Sequence, residues 1–400
     1  MRAGVKGLIV AAAFIGPGTV TTASLVGAQT GYALIWLLVF AIIATFILQE
    51  MASRLGTISG VGLSEAIMLS ITNPIVKCLV AGLVIVAIGV GNAAYEGGNI
   101  TGAALGLSAN FSGSIQQWAF TLGIIALLLL VSGQYKLLEK CLIGLVIIMS
   151  LVFITLMVSV GINTSLLAEG LTMRAPMLSN TALALAIVGT TIVPYNLFLH
   201  AGLSAQDTQN KTNAKAISKK ELRHQNGQLF ASIGIGGLVT FAILSSSVSA
   251  FYVAQIAVNP NNIANQLTPL LGQQASLFFG IGLFAAGLTS AITAPLAAAY
   301  AISGLFGWQP SLQNIKFRLT AILIVVVGTA MASIGLKPIA LILIAQTANA
   351  LLLPISAILL VWVCNRKSLL GEYRNGVFAN TGAGIVILLV LGLAVYKLFF

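Results

Sequence analysis

The chain has 400 residues, of which 58% are hydrophobic and only 7% carry a charge, and its mean hydropathy is +1.04. In soluble domains roughly a quarter of all residues are charged, so this composition excludes soluble enzymes, disordered tails and disulfide scaffolds. Runs that are apolar on every face, such as residues 34–44 and 385–395, predict membrane-spanning helices and exclude the alternating strands of a β-barrel. The net charge of +11 is better explained by basic loops on one side of a bilayer than by nucleic-acid binding.

Apolar windows separated by Gly, Asn, Pro or charged clusters predict eleven membrane spans in one integral membrane domain. Their centres lie near residues 17, 43, 92, 125, 149, 192, 239, 286, 325, 350 and 388. Arg2 and Lys6 precede the first apolar run, but no Ala-x-Ala cleavage site follows. We therefore expect a retained first helix rather than a cleaved signal peptide.

Basic residues are distributed unequally between the predicted loops. Only Arg174, Lys337 and Lys397 fall on the side opposite to the N-terminus. This positive-inside bias predicts a cytoplasmic N-terminus and an outer C-terminus, in a bacterial-type inner membrane. The N-terminal side holds Arg2, Lys6, Arg54, Lys77, Lys136, Lys140, Lys211, Lys215, Lys219, Lys220, Arg223, Lys316, Arg318, Arg366, Lys367 and Arg374.

The first span is expected to break in its middle. It contains Gly16, Pro17 and Gly18 in succession, followed by Thr19. Proline removes a backbone donor and clashes with the preceding turn, and the flanking glycines do not hold the helix straight. The helix should unwind at this point.

Span three carries the acidic residue that lies deepest in the predicted bilayer, Glu96. Glu50, in contrast, lies near the cytoplasmic end of span two, where Arg54 can pair with it at i+4. A lone carboxyl at membrane depth indicates a functional site with a proton or cation as counter-charge. The alternative is that Glu96 lies at a wetted outer end of span three. The other acids are placed in loops or helix ends: Glu65, Glu139, Glu169, Asp207, Glu221 and Glu372.

Span six is expected to contain a second break, at Pro194 within a Gly- and Thr-rich segment that begins at Gly189. His200 follows on the inner half of the span, where it either relays protons or bonds a neighbouring helix. The longest charged joint, residues 207–227, comes next; it is interpreted as a solvated linker, with a lipid-facing basic patch as the alternative.

The two breaks lie in corresponding places. Pro17 precedes Ala28-Gln29 by the interval at which Pro194 precedes Ala205-Gln206, which predicts two repeats of five helices, about 5–160 and 178–364, with an extra helix at about 377–398. Because the two repeats are offset by an odd number of helices, five, they are inverted relative to each other in the membrane. Paired broken helices at corresponding positions point to a transporter site at the midplane of the bilayer. The alternative is two unrelated proline kinks.

Span ten contains a polar cluster, Gln346, Thr347 and Asn349, whose amides are read as either site residues or packing contacts between helices. Nothing in the sequence indicates catalysis: paired acids, a Cys/His metal cluster and a phosphate loop are all missing. We expect no enzyme activity, no cofactor and no ATP-driven pumping. The three cysteines, Cys78, Cys141 and Cys364, are expected to be reduced.

These motifs together resemble the NRAMP family of proton-coupled divalent-metal transporters. Gly16-Pro17-Gly18-Thr19 and the following Gly27-Ala28-Gln29-Thr30-Gly31-Tyr32 are similar to that family's Asp-Pro-Gly-Asn break and its Gly-Ala-Gln-x-Gly-Tyr. The resemblance extends to residues 193–200, to Ser290-Ala291-Ile292-Thr293, to the spacing of Gln346 and Pro354, and to Glu96. It implies an all-α membrane fold of eleven helices, with a LeuT/APC-type inverted five-plus-five repeat and broken helices one and six.

The departures from the family pattern fall where the resemblance implies metal ligands. Members of the family bind Mn(II) or Fe(II) through the aspartate and asparagine of the first break, the methionine of the second and nearby carbonyls. The corresponding residues here are Gly16, Thr19 and Val193, and further replacements are Thr190, Tyr195 and Ala93. His200 and Gln346 are kept. Without a carboxylate or a soft sulfur, tight binding of Mn(II) is not expected.

The leading hypothesis is an NRAMP-related secondary transporter that moves a cation by alternating access. By family the cation is a divalent metal ion, but with the Mn/Fe site altered Mg(II) or a monovalent ion is considered as well. Any proton coupling would use Glu96 and His200. The substrate site would be lined by Gly16, Thr19, Thr190, Val193, Tyr195 and Gln346. One alternative is a carrier of a small organic solute, suggested by Tyr195 and the missing charges. Another is a sensor or scaffold that does not transport.

Overall fold

The computed structural model describes residues 15–133, 136–172, 180–209 and 219–399. Over these ranges the chain is built from helices, most of them joined by short turns. The helices are α1 (Pro17–Thr30), α2 (Ile35–Ser59), α3 (Leu63–Ser70), α4 (Pro74–Ser108), α5 (Ile115–Ser132), α6 (Lys136–Val160), α7 (Thr164–Leu171), α8 (Thr181–Thr191), α9 (Pro194–Gln209), α10 (Lys219–Ser247), α11 (Ala275–Phe306), α12 (Ile315–Ser333), α13 (Pro338–Cys364) and α14 (Val377–Phe399). The longer connection between α10 and α11, residues 248–274, contains short π, 3-10 and α-helical segments.

The predicted spans correspond closely to these helices. Ten described helical segments are long and apolar enough to cross a membrane, and they match predicted spans two to eleven. The described part of span one is α1, with 14 residues. The prediction of an all-α integral membrane fold is confirmed. Some of the residues used above for orientation lie outside the described ranges: Arg2, Lys6, Arg174, Lys211 and Lys215.

The break in span six is a true interruption rather than a kink. Helix α8 ends at Thr191 and α9 begins at Pro194, with Ile192 extended between them at φ −105° and ψ 90°. The carbonyl of Thr191, which the break frees, accepts a hydrogen bond from Thr45 Oγ1 at 3.2 Å. Because α11 and α13 run unbroken through their own prolines, proline alone does not cause such a break.

The described part of span one begins at the predicted break. Gly16 is extended, at φ −90° and ψ 173°, and Pro17 is the first residue of α1, a position where the missing N–H costs nothing. Helix α4 approaches Pro17 closely because it has a glycine there. A Cβ on Gly102 would lie 2.3 Å from the Cβ of Pro17.

The charged joint after span six is shorter than predicted. Residues 207–209 continue α9 and residues 219–227 already belong to α10. Helices that leave the bilayer keep their backbone hydrogen bonds while their side chains become polar. Composition alone therefore placed the end of α9 too early and the start of α10 too late. The part of the linker at 210–218 lies outside the described residues, and the bounds of the two repeats stay a prediction.

The predicted pairing of Glu50 with Arg54 is confirmed, with Arg54 Nε 2.9 Å from Glu50 Oε1. The same guanidinium donates to the carbonyl of Tyr373 and, at 2.8 Å, to Asn375 Oδ1. Arg54 therefore ties the end of α2 to the segment that joins α13 and α14.

Glycine allows the α8 half-helix to lie directly against α13. A Cβ on Gly189 would lie 1.9 Å from the carbonyl oxygen of Gln346 and 2.9 Å from the amide nitrogen of Ala350. Both are backbone atoms, which cannot rotate away as a side chain can. The backbone of α13 is therefore fixed beside the break of span six.

Replacing Gly189 by Ala is expected to destabilise the protein by about 1–3 kcal/mol, the usual effect of overpacking. The matched control is Gly144→Ala, which has open space around its Cβ and is expected to be neutral or to stabilise by up to about 1 kcal/mol. Thermal unfolding midpoints in detergent compare the two. Equal midpoints for both variants would contradict the close packing of α8 on α13.

Candidate functional site

The two breaks meet through a pair of threonine hydroxyls. Thr19, in the first turn of α1, and Thr190, in the last turn of α8, have their Oγ1 atoms 3.0 Å apart. Both side chains are buried. Residues distant in the sequence are thus brought together where two helix ends lie in the interior of the bundle.

Gln346 of α13 lies against the start of α1. A Cβ on Gly18 would be 2.0 Å from Gln346 Nε2 and 3.2 Å from Oε1, so only glycine leaves room for this amide. Gln346 is 1% exposed, and its Oε1 has no hydrogen-bond partner among the described residues. A buried amide oxygen without a partner is costly, so Gln346 Oε1 is available as an acceptor beside the start of α1.

Two tyrosines lie beside the break of span one. The rings of Tyr95 on α4 and Tyr195 on α9 have centroids 5.5 Å apart at an interplanar angle of 59°, and their phenols are hydrogen-bonded. A Cβ on Gly16 would lie 3.4 Å from Tyr95 Oη and 3.3 Å from Ser290 Oγ. The break of span one is therefore surrounded by hydroxyl groups.

The six residues predicted to line the site are all buried around the two breaks. Thr19 touches Thr190, whereas Val193 lies in the break itself, where its carbonyl accepts from Asn196 N at 3.2 Å. Three further residues at the breaks, Gly18, Tyr95 and Ser290, were not among those predicted to line the site. The resemblance named Ser290 and the break contained Gly18, but only the contacts show which atoms face each other.

The donor set around the breaks consists of hydroxyl, phenol and amide groups. Among the described residues, no group of three or more His, Cys, Asp or Glu is placed to hold a metal ion. The half-helices α1 and α9 both begin at the breaks, so their positive ends face the site, and Gly16 gives α1 no side-chain cap. The described groups around the breaks are therefore neutral donors and acceptors together with two positive helix ends.

Glu96 is 0% exposed, so the interpretation as a wetted helix end is wrong. Its Oε2 accepts from Asn99 Nδ2 at 3.3 Å, while its Oε1 and Asn99 Oδ1 have no partner among the described residues. A Cβ on Gly328 would lie 2.5 Å from Glu96 Cγ. The carboxyl is thus enclosed between α4 and α12, one residue from Tyr95.

His200 lies at a different interface. Its Nδ1 is 2.7 Å from Gln49 Oε1, which places the ring between α9 and α2. The structure therefore keeps the two predicted proton carriers in separate contacts, Glu96 with Asn99 and His200 with Gln49.

Replacing Thr19 or Thr190 by Val removes the hydroxyl contact between the breaks while keeping the shape of the side chain. Each single variant is expected to lose about 1 kcal/mol of stability, and the double variant little more than either one, because both remove the same bond. A double-mutant cycle of unfolding free energies measures this coupling. Strictly additive losses would show that the two hydroxyls do not interact.

The chain matches a known protein family over nearly its whole length. The family model described as "Natural resistance-associated macrophage protein-like" (Nramp) matches residues 7–400. Several relatives carry the name divalent metal cation transporter MntH. The one from Verminephrobacter eiseniae is 27% identical to this chain, over 93% of this chain and 83% of the relative. In Acidiphilium cryptum the identity is 27%, over 98% of this chain and 88% of the relative.

Solved structures with a similar fold include a mutant of the manganese transporter of Eremococcus coleocola. Its TM-score is 0.75 at 20% identity, covering 98% of this chain and 85% of that chain. Mhp1, a nucleobase-cation-symport-1 family transporter, has a TM-score of 0.58 at 14% identity, covering 97% and 90%. MhsT, solved in complex with L-phenylalanine, has a TM-score of 0.58 at 16% identity, covering 98% of each chain.

Proposed function

The chain belongs to the Nramp family, and from this membership we propose that it is a secondary transporter that moves a small cation by alternating access. The relatives named as divalent metal cation transporters support a cation. Paired broken helices that meet at a buried site are the usual arrangement for alternating access. The two half-helix starts at Pro17 and Pro194 provide this arrangement.

The proposed substrate differs from the ion that the family resemblance implies. The single observation that carries this proposal is the Thr19–Thr190 hydroxyl contact, with Gly16 and Val193 at the positions of an aspartate and a methionine. Mn(II) and Fe(II) are held by ligands of suitable charge and softness. Neutral oxygens suit a monovalent cation or Mg(II) that keeps much of its water shell.

Proton coupling is proposed to pass through Glu96 and His200. Glu96 is fully buried and has an oxygen without a partner among the described residues, which supports a role as a protonatable group at membrane depth. His200 is half-buried beside Gln49 on the α9 half-helix, which adjoins the break. The positive-inside bias supports a cytoplasmic N-terminus.

Flux into proteoliposomes tests the cation proposal. The purified protein is reconstituted, uptake of Mg(II), Mn(II) and monovalent ions is measured from the ion content of the vesicles, and a pH-sensitive dye inside them reports proton movement. We expect uptake of Mg(II) or a monovalent ion that exceeds uptake of Mn(II), accompanied by a change in internal pH. Absence of ion and proton movement under every gradient would overturn the proposal.

A small organic solute is the second candidate, and it is favoured by the Tyr95–Tyr195 pair. Aromatic faces bind apolar parts of a ligand, and the two positive helix ends attract an anionic group. Thermal-shift screening of metabolites against metal salts separates the candidates. Stabilisation by salts alone would count against the organic solute, whereas stabilisation by a metabolite alone would favour it.

A further inference from the structure

A cavity of about 170 Å³ lies along α9, from Phe198 near the break to Gln209 at the end of the helix. Three helices line it: α3 through Ser64 and Glu65, α9 through Phe198 and Gln206, and α11 through Tyr300. A buried water occupies roughly 10–15 Å³ of such volume, so the cavity is large enough for a hydrated ion. None of the residues named around the breaks lines it, so it is a separate compartment.

The cavity lies on the same helix faces as the breaks. Tyr195 at the break and the cavity residues Phe198, Gly202 and Gln206 follow one another at intervals of three or four on α9, which places them on one face. At 1.5 Å per residue, Phe198 lies only about 4.5 Å along the helix from Tyr195. One helical turn therefore separates the cavity from the candidate site, with Phe198 between them.

A second helix shows the same register. Ser290 of α11 is close to Gly16 at the first break, and Ala301 and Gly304 of the same helix line the cavity. Residues 290, 294, 297, 301 and 304 recur at intervals of three or four, and those between Ser290 and Ala301 are alanines. Both alanines are fully buried, so the cavity and the break are separated along this face of α11 by packed but small side chains.

The cavity has an acidic wall. Glu65 Oε2 accepts from Gly62 N at 3.0 Å, which closes the first turn of α3, and no basic partner of Glu65 is present in the described part of the chain. Gln206 and Tyr300 add amide and phenol groups. Ser64, also on this wall, is 3% exposed, and its hydroxyl has no partner among the described residues. One carboxylate with neutral polar groups attracts a cation without replacing its water shell.

We propose that this cavity is a vestibule that binds a hydrated cation through water-mediated contacts, with Glu65 as its charged residue. The inference rests on the proposed cation transport and specifies the form of the ion next to the site. The ion arrives as a hydrated octahedral complex. It is held by outer-sphere contacts one turn from Tyr195, and it reaches the breaks when Phe198 moves aside.

Hexaamminecobalt(III), an inert octahedral ion of the size of hydrated Mg(II), is the probe for this site. Calorimetric binding to the full-length protein in detergent is compared with that of Glu65→Gln. Glutamine at this position keeps the capping hydrogen bond of α3 and removes only the charge. We expect wild-type binding and a loss of about tenfold in the variant, as for one lost charge contact in a wet site.

Two further variants complete the design. Glu169→Gln, on α7 and away from the cavity, is expected to bind the probe as the wild type does, while Gln206→Glu is expected to bind it more tightly. Unchanged binding by Glu65→Gln, or an equal loss in Glu169→Gln, would overturn the vestibule. Size-exclusion profiles of all variants report folding.

The vestibule and the proposed transport fail in different ways. Mg(II) flux that persists, and is inhibited by the probe equally in wild type and Glu65→Gln, would refute the vestibule alone. Binding of the probe that depends on Glu65, in a protein that carries no ion under any gradient, would refute the proposed transport alone. Loss of both the flux and the Glu65 dependence would refute both.

Discussion

A variant carrying Gly16→Asp, Thr19→Asn and Val193→Met is expected to gain affinity for Mn(II) on the order of a hundredfold or more over the wild type. A carboxylate about 4 Å from a cation contributes about 4 kcal/mol per unit charge at an effective dielectric constant of 20, and each 1.4 kcal/mol is tenfold. The methionine adds the soft ligand that selects Mn(II) over Mg(II).

Position 16 has room for this change with small shifts. A Cβ there would lie 3.3 Å from Ser290 Oγ and 3.4 Å from Tyr95 Oη, both of which are side-chain atoms that can give way. The matched control keeps the two other changes but carries Gly16→Asn, which has nearly the same shape and no charge. Calorimetry with Mn(II) and Mg(II) measures the gain.

Two outcomes would contradict the claim that the missing carboxylate and sulfur prevent tight Mn(II) binding. Wild-type protein that binds Mn(II) as tightly as the triple variant would show that neutral oxygens are sufficient for this metal. An equal gain in the asparagine control would show that shape, rather than charge, limits binding at position 16.

Glu96→Gln is expected to abolish accumulation driven by a pH gradient while downhill flux of the same ion continues. Glutamine has nearly the size of glutamate and cannot carry a proton. Among the described residues, Glu96 is the fully buried acid at membrane depth. Because the variant buries no ionisable group, its folded state is expected to be at least as stable as the wild type.

Reconstituted vesicles with and without an imposed pH difference measure this effect. The control is Glu372→Gln, an exposed acid in the segment between α13 and α14, which should leave accumulation unchanged. Full accumulation by Glu96→Gln would exclude Glu96 as a proton carrier and leave His200 as the candidate.

Most of the fold could be predicted from sequence because hydropathy sets the spans directly. The start of α1 at Pro17 and the interruption between α8 and α9 were also predictable, since Gly-Pro-Gly at 16–18 and the Thr-rich approach to Pro194 remove backbone bonds locally. The ends of α9 and α10 were not, because a helix continues into polar sequence beyond the bilayer. The cavity beside α3 carries no local signal at all, as three separate helices form it.

The candidate site was only partly predictable. The positions that line it follow from the two breaks and from the family resemblance. The contact between Thr19 and Thr190, and the packing of the Gln346 side chain against Gly18, depend instead on how the half-helices meet. Burial of Glu96 follows from its apolar span, whereas its enclosure against α12 depends on Gly328, which no local pattern connects to it. His200 was grouped with Glu96, yet it lies at another interface.

The most direct test of alternating access around the two breaks is labelling of a cysteine placed beside Thr19. Val20 is fully buried, and Val20→Cys is made with the exposed Cys78 and Cys141 replaced by serine, while Cys364 stays buried. A membrane-impermeant maleimide is applied from each side, with and without Mg(II), a monovalent cation or a pH gradient. We predict that labelling shifts from one side to the other with the ion or the gradient. A labelling pattern that is the same under every ion, solute and gradient would contradict transport and would indicate a sensor or scaffold that keeps the fold.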